Sequence, residues 1–105
     1  MPAAGQVGTD ASDSALTAHA RWGDVGAFDL IVRQQRADLL SHALRRLQNR
    51  EAALDCVQET FLRAWESLPR FRAGCSLQTW LHRILENVCL EERCMRARNR
   101  KRVGR

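Results

Sequence analysis

Residues 54–71 have the sequence LDCVQETFLRAWESLPRF, which predicts one helix with two different faces. Residues that recur at steps of three and four share one face of a helix. One such set is apolar and predicts a face buried against a core: Leu54, Val57, Phe61, Trp65 and Leu68. A second set carries acids and an amide around one leucine: Asp55, Gln58, Glu59, Leu62 and Glu66. Folding accounts for the first face, whereas the second has the character of a surface that meets a partner.

Apolar periodicity on both sides of this helix predicts three more helices. The four helices are expected at about these residues: 14–22, 27–47, 51–68 and 76–98. Asp13 and Ser14 are cap candidates for the first helix, and Pro69 stops the third. Strand alternation is absent, and the short loops favour antiparallel packing of neighbouring helices. We therefore predict an all-α fold, a compact bundle of about four helices over residues 13–98, preceded by a disordered tail at residues 1–12.

Tryptophan and cysteine side chains are expected to be structural. If the third and fourth helices pack together, Trp65 and Trp80 should lie near each other in the core. The cysteines form no C-x-x-C pair and have no histidine at finger-like spacing, so they do not predict a zinc site. We expect all of them to be reduced thiols: Cys56, Cys75, Cys89 and Cys94.

Charge is distributed unevenly along a chain whose formal net charge is +5. The C-terminal end contains seven basic residues and no acid: Arg93, Arg96, Arg98, Arg100, Lys101, Arg102 and Arg105. In the third helix the acids outnumber the bases. This polarity indicates two partners of opposite character. A solvated tail that keeps the chain soluble is the simpler interpretation of the basic end.

Motifs of catalysis are absent from the sequence. It contains no Gly-rich phosphate loop, H-E-x-x-H or G-x-S-x-G, and His19, His42 and His82 are isolated on different predicted helices. No apolar run approaches the roughly 20 residues of a membrane span, and the N-terminus lacks the features of a secretory signal. We therefore expect a cytoplasmic binding module that is not an enzyme, with no catalytic, cofactor or metal site and no membrane insertion.

The loop before the fourth helix, together with that helix, offers the chemistry of nucleic-acid binding. It combines an aromatic ring, small flexible residues, amide and hydroxyl groups, and arginines: Phe71, Arg72, Gly74, Cys75, Ser76, Thr79, Arg83 and Asn87. Such a set suits the capture of unstacked bases beside a phosphate track. An alternative for Phe71 is a hydrophobic anchor that pins the loop.

These residues together resemble a known family, region 2 of bacterial RNA polymerase sigma factors of the extracytoplasmic-function group. The resemblance covers about residues 13–102 and is carried by these segments: DCVQETFLRAW at 55–65, FR at 71–72, TWLHRI at 79–84, then Asn87 and the basic tail. In combination the motifs are specific. The resemblance implies a helical domain that binds core polymerase and recognises and melts the promoter −10 element.

The resemblance also implies roles for particular residues. Contact with the clamp coiled coil of the polymerase β′ subunit is expected from Asp55, Gln58, Glu59 and Leu62, with Glu66 a weaker candidate. Contact with the non-template strand is expected from Phe71, Arg72, Gly74, Cys75, Ser76, Thr79, Arg83 and Asn87. Phosphate contacts are expected from Arg93, Arg96, Arg98, Arg100 and Lys101. An anti-sigma factor is a further expected partner.

Several positions depart from the family pattern. Ala53 and Leu54 replace an acidic pair, and Cys75 lies in the base-capturing loop. The family's C-terminal helix-turn-helix domain is missing, so we expect an excised domain whose residues 99–105 begin an interdomain linker. Two alternatives stay open. One is a sigma-like mimic that binds an anti-sigma factor, and the other is a small helical nucleic-acid-binding protein without a polymerase partner.

Overall fold

The computed structural model describes residues 15–71 and 74–103, with only the backbone given for residues 101–103. Its helices are α1 at residues 15–21, α2 at Val25–Leu47, α3 at Arg50–Ser67, a 3-10 helix at Leu68–Arg70 and α4 at Leu77–Val103. The described part of the chain contains no strand, so the predicted all-α fold is confirmed. The expected tail at residues 1–12 and the cap candidates Asp13 and Ser14 lie outside the described residues.

Short polar side chains set the starts of the helices. The Asp24 carboxylate accepts a hydrogen bond from the Ala27 N–H at 3.1 Å, so α2 begins two residues before the predicted start. Asn49 caps α3 in the same way, through the Ala52 N–H at 2.9 Å. These caps satisfy N–H groups that have no partner inside the helix. They therefore fix where the two helices start.

The C-terminal ends differ from the predictions in one respect. Pro69 lies in the 3-10 helix that follows α3, as expected for a residue that stops a helix. In contrast, α4 continues to Val103, five residues past the predicted end near Arg98. Arginines are good helix formers, and the Arg96–Glu92 ion pair supports the extension at the favourable spacing of four residues.

Three helices pack side by side, and α2 and α4 run parallel. Phe28, near the start of α2, contacts Trp65, near the end of α3, so these two helices are antiparallel. Three polar pairs between α2 and α4 have the same separation of 40 residues: Asp38 with Gln78, His42 with His82, and Arg46 with Glu86. A constant separation means that the two helices advance in the same direction. Therefore α3 is the antiparallel neighbour of both.

The buried face of α3 combines two of the predicted apolar residues, Val57 and Phe61, with small residues that the prediction did not include. Ala53, Thr60 and Ala64 are fully buried, whereas Leu54 is half-buried and Trp65 is 36% exposed. Small side chains let α3 approach its neighbours closely, and the large apolar side chains lie beside that contact. The predicted apolar face is thus confirmed at Val57, Phe61 and Leu68, whereas Leu54 and Trp65 lie at its edge.

The two tryptophans have different partners, so the expected Trp65–Trp80 contact is wrong. The Trp65 ring packs on Phe28 with centroids 5.0 Å apart. The Trp80 ring packs on Phe71 with centroids 4.8 Å apart. Both separations lie in the range that is favourable for aromatic pairs. The two tryptophans therefore pack at different edges of the bundle.

Candidate nucleic-acid and protein interfaces

The second face of α3, called the acidic face here, points away from the core. It consists of the residues identified from the sequence: Asp55, Gln58, Glu59, Leu62 and Glu66. Four of these side chains are exposed and Glu59 is half-buried. Leu62, in the middle of the face, is 55% exposed. Because the Leu62 side chain is exposed among acids and an amide, it is available for an interface.

One arginine ties the acidic face to α4. Arg63 Nε donates to the Glu59 carboxylate at 2.9 Å, and Arg63 Nη2 donates to the Glu91 carboxylate at 2.6 Å. These hydrogen bonds raise the pKa of Arg63, and the one to Glu91 lowers the pKa of that carboxyl. Glu59 therefore has a fixed orientation. Glu91 likewise has a structural partner in Arg63.

An apolar groove of about 390 Å³ runs between α2 and α3 beside the acidic face. Its walls are apolar side chains of both helices: Phe28, Val32, Leu54, Val57, Phe61 and Trp65. Gln58 and Leu62 form part of its rim, so the groove and the acidic face are continuous. The sequence predicted these α3 residues as core. In the structure Val57 and Phe61 are buried, whereas Leu54 is half-buried and Trp65 is 36% exposed.

The loop before α4 is held by its own contacts. Phe71 is half-buried against Trp80, so the alternative of a hydrophobic anchor describes it, and it is not an exposed aromatic. Ser76 Oγ accepts from the Thr79 N–H at 3.1 Å, which caps α4. Arg83 Nη1 lies 3.9 Å from the Cys75 sulfur. Gly74 is exposed, and a Cβ added there would meet nothing within 4 Å. Arg72 lies outside the described residues.

The exposed side of α4 presents a row of polar side chains. Thr79, Arg83 and Asn87 follow each other at steps of four residues and are all exposed. Residues at this spacing share one helix face. The row begins at the loop just described and continues toward the basic end of the helix. The structure thus brings the predicted base-contacting residues of α4 onto one surface.

The basic end of α4 forms a wide, open groove together with the end of α2. Arg93, Arg96 and Arg100 line the groove with Leu47 and Leu90, in a volume of about 850 Å³. Arg98 is exposed as well, and the Lys101 side chain lies outside the described residues. Arg96 donates to the Glu92 carboxylate at 2.7 Å, so its charge is partly compensated.

Arg46 of α2 lies beside these α4 residues, which the sequence did not indicate. It shares with Asn87 and Arg93 a smaller groove of about 200 Å³. Its guanidinium donates twice to Glu86 Oε2, from Nε at 3.1 Å and from Nη2 at 2.8 Å. Arg46 and Glu86 are separated by 40 residues, so no local pattern could have connected them.

Two of the three histidines meet across α2 and α4, although the sequence suggested that they were isolated. The Nδ1 atoms of His42 and His82 are 2.7 Å apart, and His42 Nε2 is 2.5 Å from Glu86 Oε2. His82 Nε2 is buried without a hydrogen-bond partner. Burial first, and then His42, lowers the pKa of His82, while Arg46 lowers the pKa of Glu86. Hydrogen bonds and charge interactions therefore link four side chains in this cluster: Arg46, His42, His82 and Glu86.

All four cysteines are free thiols. Cys56 and Cys89 are buried where α3 meets α4. Burial, with a smaller effect of Cys89, raises the pKa of Cys56 to about 12, and burial also raises the pKa of Cys89. A thiol that stays protonated is a poor nucleophile. Cys75 is half-buried and Cys94 is exposed.

The residues that the structure describes contain neither a metal centre nor a membrane span. Among residues 15–71 and 74–103, no three His, Cys, Asp or Glu side chains are arranged to hold a metal ion. Within the same residues, no helix is long and apolar enough to cross a membrane.

Comparison with known proteins identifies the type of domain. The chain is similar to a solved structure described as the NMR structure of the complex formed by an engineered region 2 of sigmaE in complex with GTAAAA. The TM-score is 0.73 at 29% identity, and the match covers 85% of this chain and 90% of that one. The helical bundle described above is therefore that of a sigma region 2 domain.

A family model for Sigma-70 region 2 matches residues 31–102, which is more than half of the chain. The chain belongs to the sigma-70 region 2 family, as its sequence resemblance indicated. The match spans most of α2, all of α3 and nearly all of α4, so it includes the acidic face and the basic end.

Curated relatives are mainly sigma factors of the extracytoplasmic-function group. ECF RNA polymerase sigma factor SigG of Mycobacterium tuberculosis is 45% identical over 65 residues, which cover 62% of this chain and 18% of the relative. RNA polymerase sigma-H factor of Pseudomonas aeruginosa is 32% identical over 90 residues, covering 86% and 47%. ECF RNA polymerase sigma factor SigM of M. tuberculosis is 39% identical over 82 residues, covering 76% and 41%. The chain spans less than half the length of each of these relatives.

Proposed function

We propose that this chain is the domain of an extracytoplasmic-function sigma factor that docks on core RNA polymerase and recognises and melts the promoter −10 element. The observation that carries the proposal is the row of Thr79, Arg83 and Asn87. It is exposed on α4 and continues into the basic end. Bases and phosphates of one strand could be contacted along this single line.

The solved relative supports the DNA part of the proposal. That domain is described in complex with GTAAAA, and its fold covers 85% of this chain. By analogy, a single strand would lie over the loop before α4 and along the polar row. Side chains that reach base edges specify sequence, whereas arginines on phosphates add affinity for any sequence. Asn87 is our candidate for the first role and Arg98 for the second.

The acidic face supports the polymerase part of the proposal. An exposed leucine surrounded by carboxylates and an amide has the composition of a steered docking surface. Its continuity with the groove between α2 and α3 adds apolar area around Leu62. We propose that this face contacts the β′ clamp coiled coil, through Asp55, Gln58, Glu59, Leu62 and Glu66.

The expected anti-sigma partner, the cellular location and the domain bounds are also proposals. An anti-sigma factor would compete for one of these surfaces. A polymerase subunit acts where the polymerase is, so we place the protein in the cytoplasm. We also propose residues 13–98 as the domain, 1–12 as a tail and 99–105 as the start of a linker.

Two binding measurements test the proposed function. Fluorescence anisotropy with the 105-residue chain would compare a labelled single strand carrying GTAAAA, permutations of it, and the matching duplexes. Binding to purified core polymerase would be measured separately by pull-down. We expect preference for single strands, discrimination among permutations, and retention by polymerase. Equal binding of every duplex and strand without polymerase retention would instead identify a nucleic-acid-binding protein of another class.

A further inference from the structure

The polar row of α4 continues into an apolar strip. Leu90 follows Asn87 by three residues. Cys94 and Ala97 come next, at steps of four and then three residues. Side chains at these steps share one face of a helix. Leu90 is 58% exposed, and Cys94 and Ala97 are exposed as well. A ligand that follows the polar row past Asn87 therefore meets exposed apolar side chains.

Two helices enclose this apolar strip. The strip lines the open groove of about 850 Å³ between the ends of α2 and α4, which we call the α2–α4 groove. Its other lining residues include Leu47 and the guanidinium groups of Arg46, Arg93 and Arg100. Arg46 and Leu47 belong to α2, so the groove has a second wall that α4 alone does not supply. Apolar side chains and positive charges thus lie side by side.

The α2–α4 groove carries positive charge that is available to a ligand. Among the side chains that the structure describes, Arg93 and Arg100 take part in no ion pair. Arg46 is paired with Glu86, but these side chains are 50% and 41% exposed. Exposed ion pairs are weak, and a guanidinium fork fits a phosphate as well as a carboxylate. A phosphate can therefore compete with Glu86 for Arg46.

We propose that the α2–α4 groove holds the part of the promoter single strand that continues past the bases contacted by Asn87. In this arrangement Leu90 contacts an unstacked base, and Arg46 contacts a phosphate from the α2 side. The inference rests on the proposed function, because the strand is the one that lies on the polar row. It extends that function to α2 and to an apolar contact that the charge pattern of the sequence did not indicate.

The composition of the groove favours a single strand as its occupant. A single strand presents apolar base faces together with phosphates, whereas the base faces of a duplex are stacked on one another. The groove is also continuous with the polar row, so one strand can reach both along the same face of α4. Contacts of Leu90 and Arg46 do not involve base edges. They should therefore add affinity for any sequence.

Strand length provides the test of this inference. At a rise of about 1.5 Å per residue, α4 from Leu90 to Arg100 is roughly 15 Å long. This length can accompany about four nucleotides at a spacing of about 3.4 Å. Anisotropy would compare labelled GTAAAA with the same hexamer extended by four thymidines at its 5′ or its 3′ end. We expect the 105-residue chain to bind one of the two extended strands more tightly than the hexamer.

Two variants remove the proposed contacts separately. Leu90→Ser should weaken binding of the favoured extended strand by about fourfold, the equivalent of one buried methylene group, and leave hexamer binding unchanged. Arg46→Gln should lower the salt slope for the extended strand by about 0.7, the value for one phosphate contact on a single strand. Its slope for the hexamer should not change.

Matched controls lie on the part of α2 that is remote from the groove. Leu30→Ser replaces a leucine that is 48% exposed. Arg33→Gln replaces an arginine that is paired with an exposed carboxylate, that of Asp29, as Arg46 is with Glu86. Both controls should bind every strand like the parent chain. Circular dichroism of all four variants would show whether the fold is retained, and Leu90→Ser tests the groove even if Arg46→Gln is unstable.

The outcomes separate this inference from the proposed function. Equal binding of the hexamer and both extended strands by the parent chain overturns the inference, as does equal weakening of all strands by Leu90→Ser and Arg46→Gln. In both cases sequence-dependent binding of the hexamer leaves the proposed function intact. If the two variants bind every strand normally but are retained less by core polymerase, the groove is a protein-docking surface and the inference is wrong. If the parent chain binds no strand, both proposals fail.

Discussion

At the scale of single residues, the proposed function gives different roles to Asn87 and to the arginines beyond it. Asn87 is one helical turn from Arg83 on the exposed side of α4, and Arg98 and Arg100 follow on the solvated end. An amide can distinguish base edges, whereas guanidinium groups on phosphates cannot. The two kinds of residue should therefore affect affinity and discrimination separately.

The Asn87→Ala variant tests this division. We expect it to reduce discrimination among single strands at one or two base positions. Removing the charges of Arg98 and Arg100 should instead lower affinity for every strand and flatten the salt dependence. The measurement is anisotropy over a salt series with permuted strands. If Asn87→Ala weakened all strands equally, a base-reading role for this residue would have to be abandoned.

The thiols give a second prediction at this scale. Alkylation of the native protein, followed by mass spectrometry, should modify Cys75 and Cys94 first and reach Cys56 and Cys89 only after unfolding. The physical reason is that burial raises the pKa of Cys56 to about 12 and also raises that of Cys89. Cys94 is the more exposed of the two accessible thiols. Rapid native labelling of Cys56 would contradict this prediction.

At the scale of elements, the two sides of α3 differ in burial and composition. One side buries small residues between α2 and α4, and the other presents the acidic face. Because these sides are opposite, changes on the acidic face should leave the fold nearly intact. Glu59 is the exception in part, because Arg63 connects it to α4.

The double variant Gln58→Ala with Glu59→Ala tests the docking role of α3. Exposed substitutions usually change stability by about 0.5 kcal/mol or less, so we expect nearly unchanged helicity and melting. Affinity for core polymerase should fall clearly, as measured by competition with the parent chain. Gln34→Ala, an exposed substitution on α2, is the control and should bind normally. If the double variant bound polymerase with unchanged affinity, the acidic face would not be the polymerase-binding surface.

At the scale of the whole molecule, the contact between α2 and α4 makes stability depend on pH. The pKa of His82 is lowered in the folded chain, mainly by burial, and the pKa of Glu86 is lowered, mainly by Arg46. Both groups take up a proton more readily after unfolding. Their contributions to stability are therefore complete at neutral pH and are lost as the pH falls.

The order of these losses follows from the unfolded pKa values. The contribution of His82 should decline below about pH 6.5, and that of Glu86 below about pH 4.3. We expect a lower Tm at pH 5.5 than at pH 7.5, measured by circular dichroism. His82→Gln should flatten this part of the curve, whereas His19→Gln should follow the parent chain. A Tm that is constant from pH 7.5 to 5.5 would contradict the prediction.

Much of the bundle could be predicted from the sequence because helices are encoded locally. The apolar period located α2, α3 and α4 to within a few residues, and Pro69 marked the end of α3. The polar composition of the acidic face was enough to predict that it avoids the core. The family resemblance rested on the same local motifs, and the match to residues 31–102 agrees with it.

Tertiary structure decided which side chains meet, because that depends on how distant helices align. The separation of 40 residues between contacting positions of α2 and α4 is set by the whole of α3 and its two connections. No local pattern could therefore place Arg46 on Glu86 or His42 on His82. Periodicity also treats every apolar residue alike, so it could not tell that α3 buries Ala53 and Ala64 completely while Trp65 stays at the edge. Close approach between helices selects small side chains, and only the packed structure shows where that approach occurs.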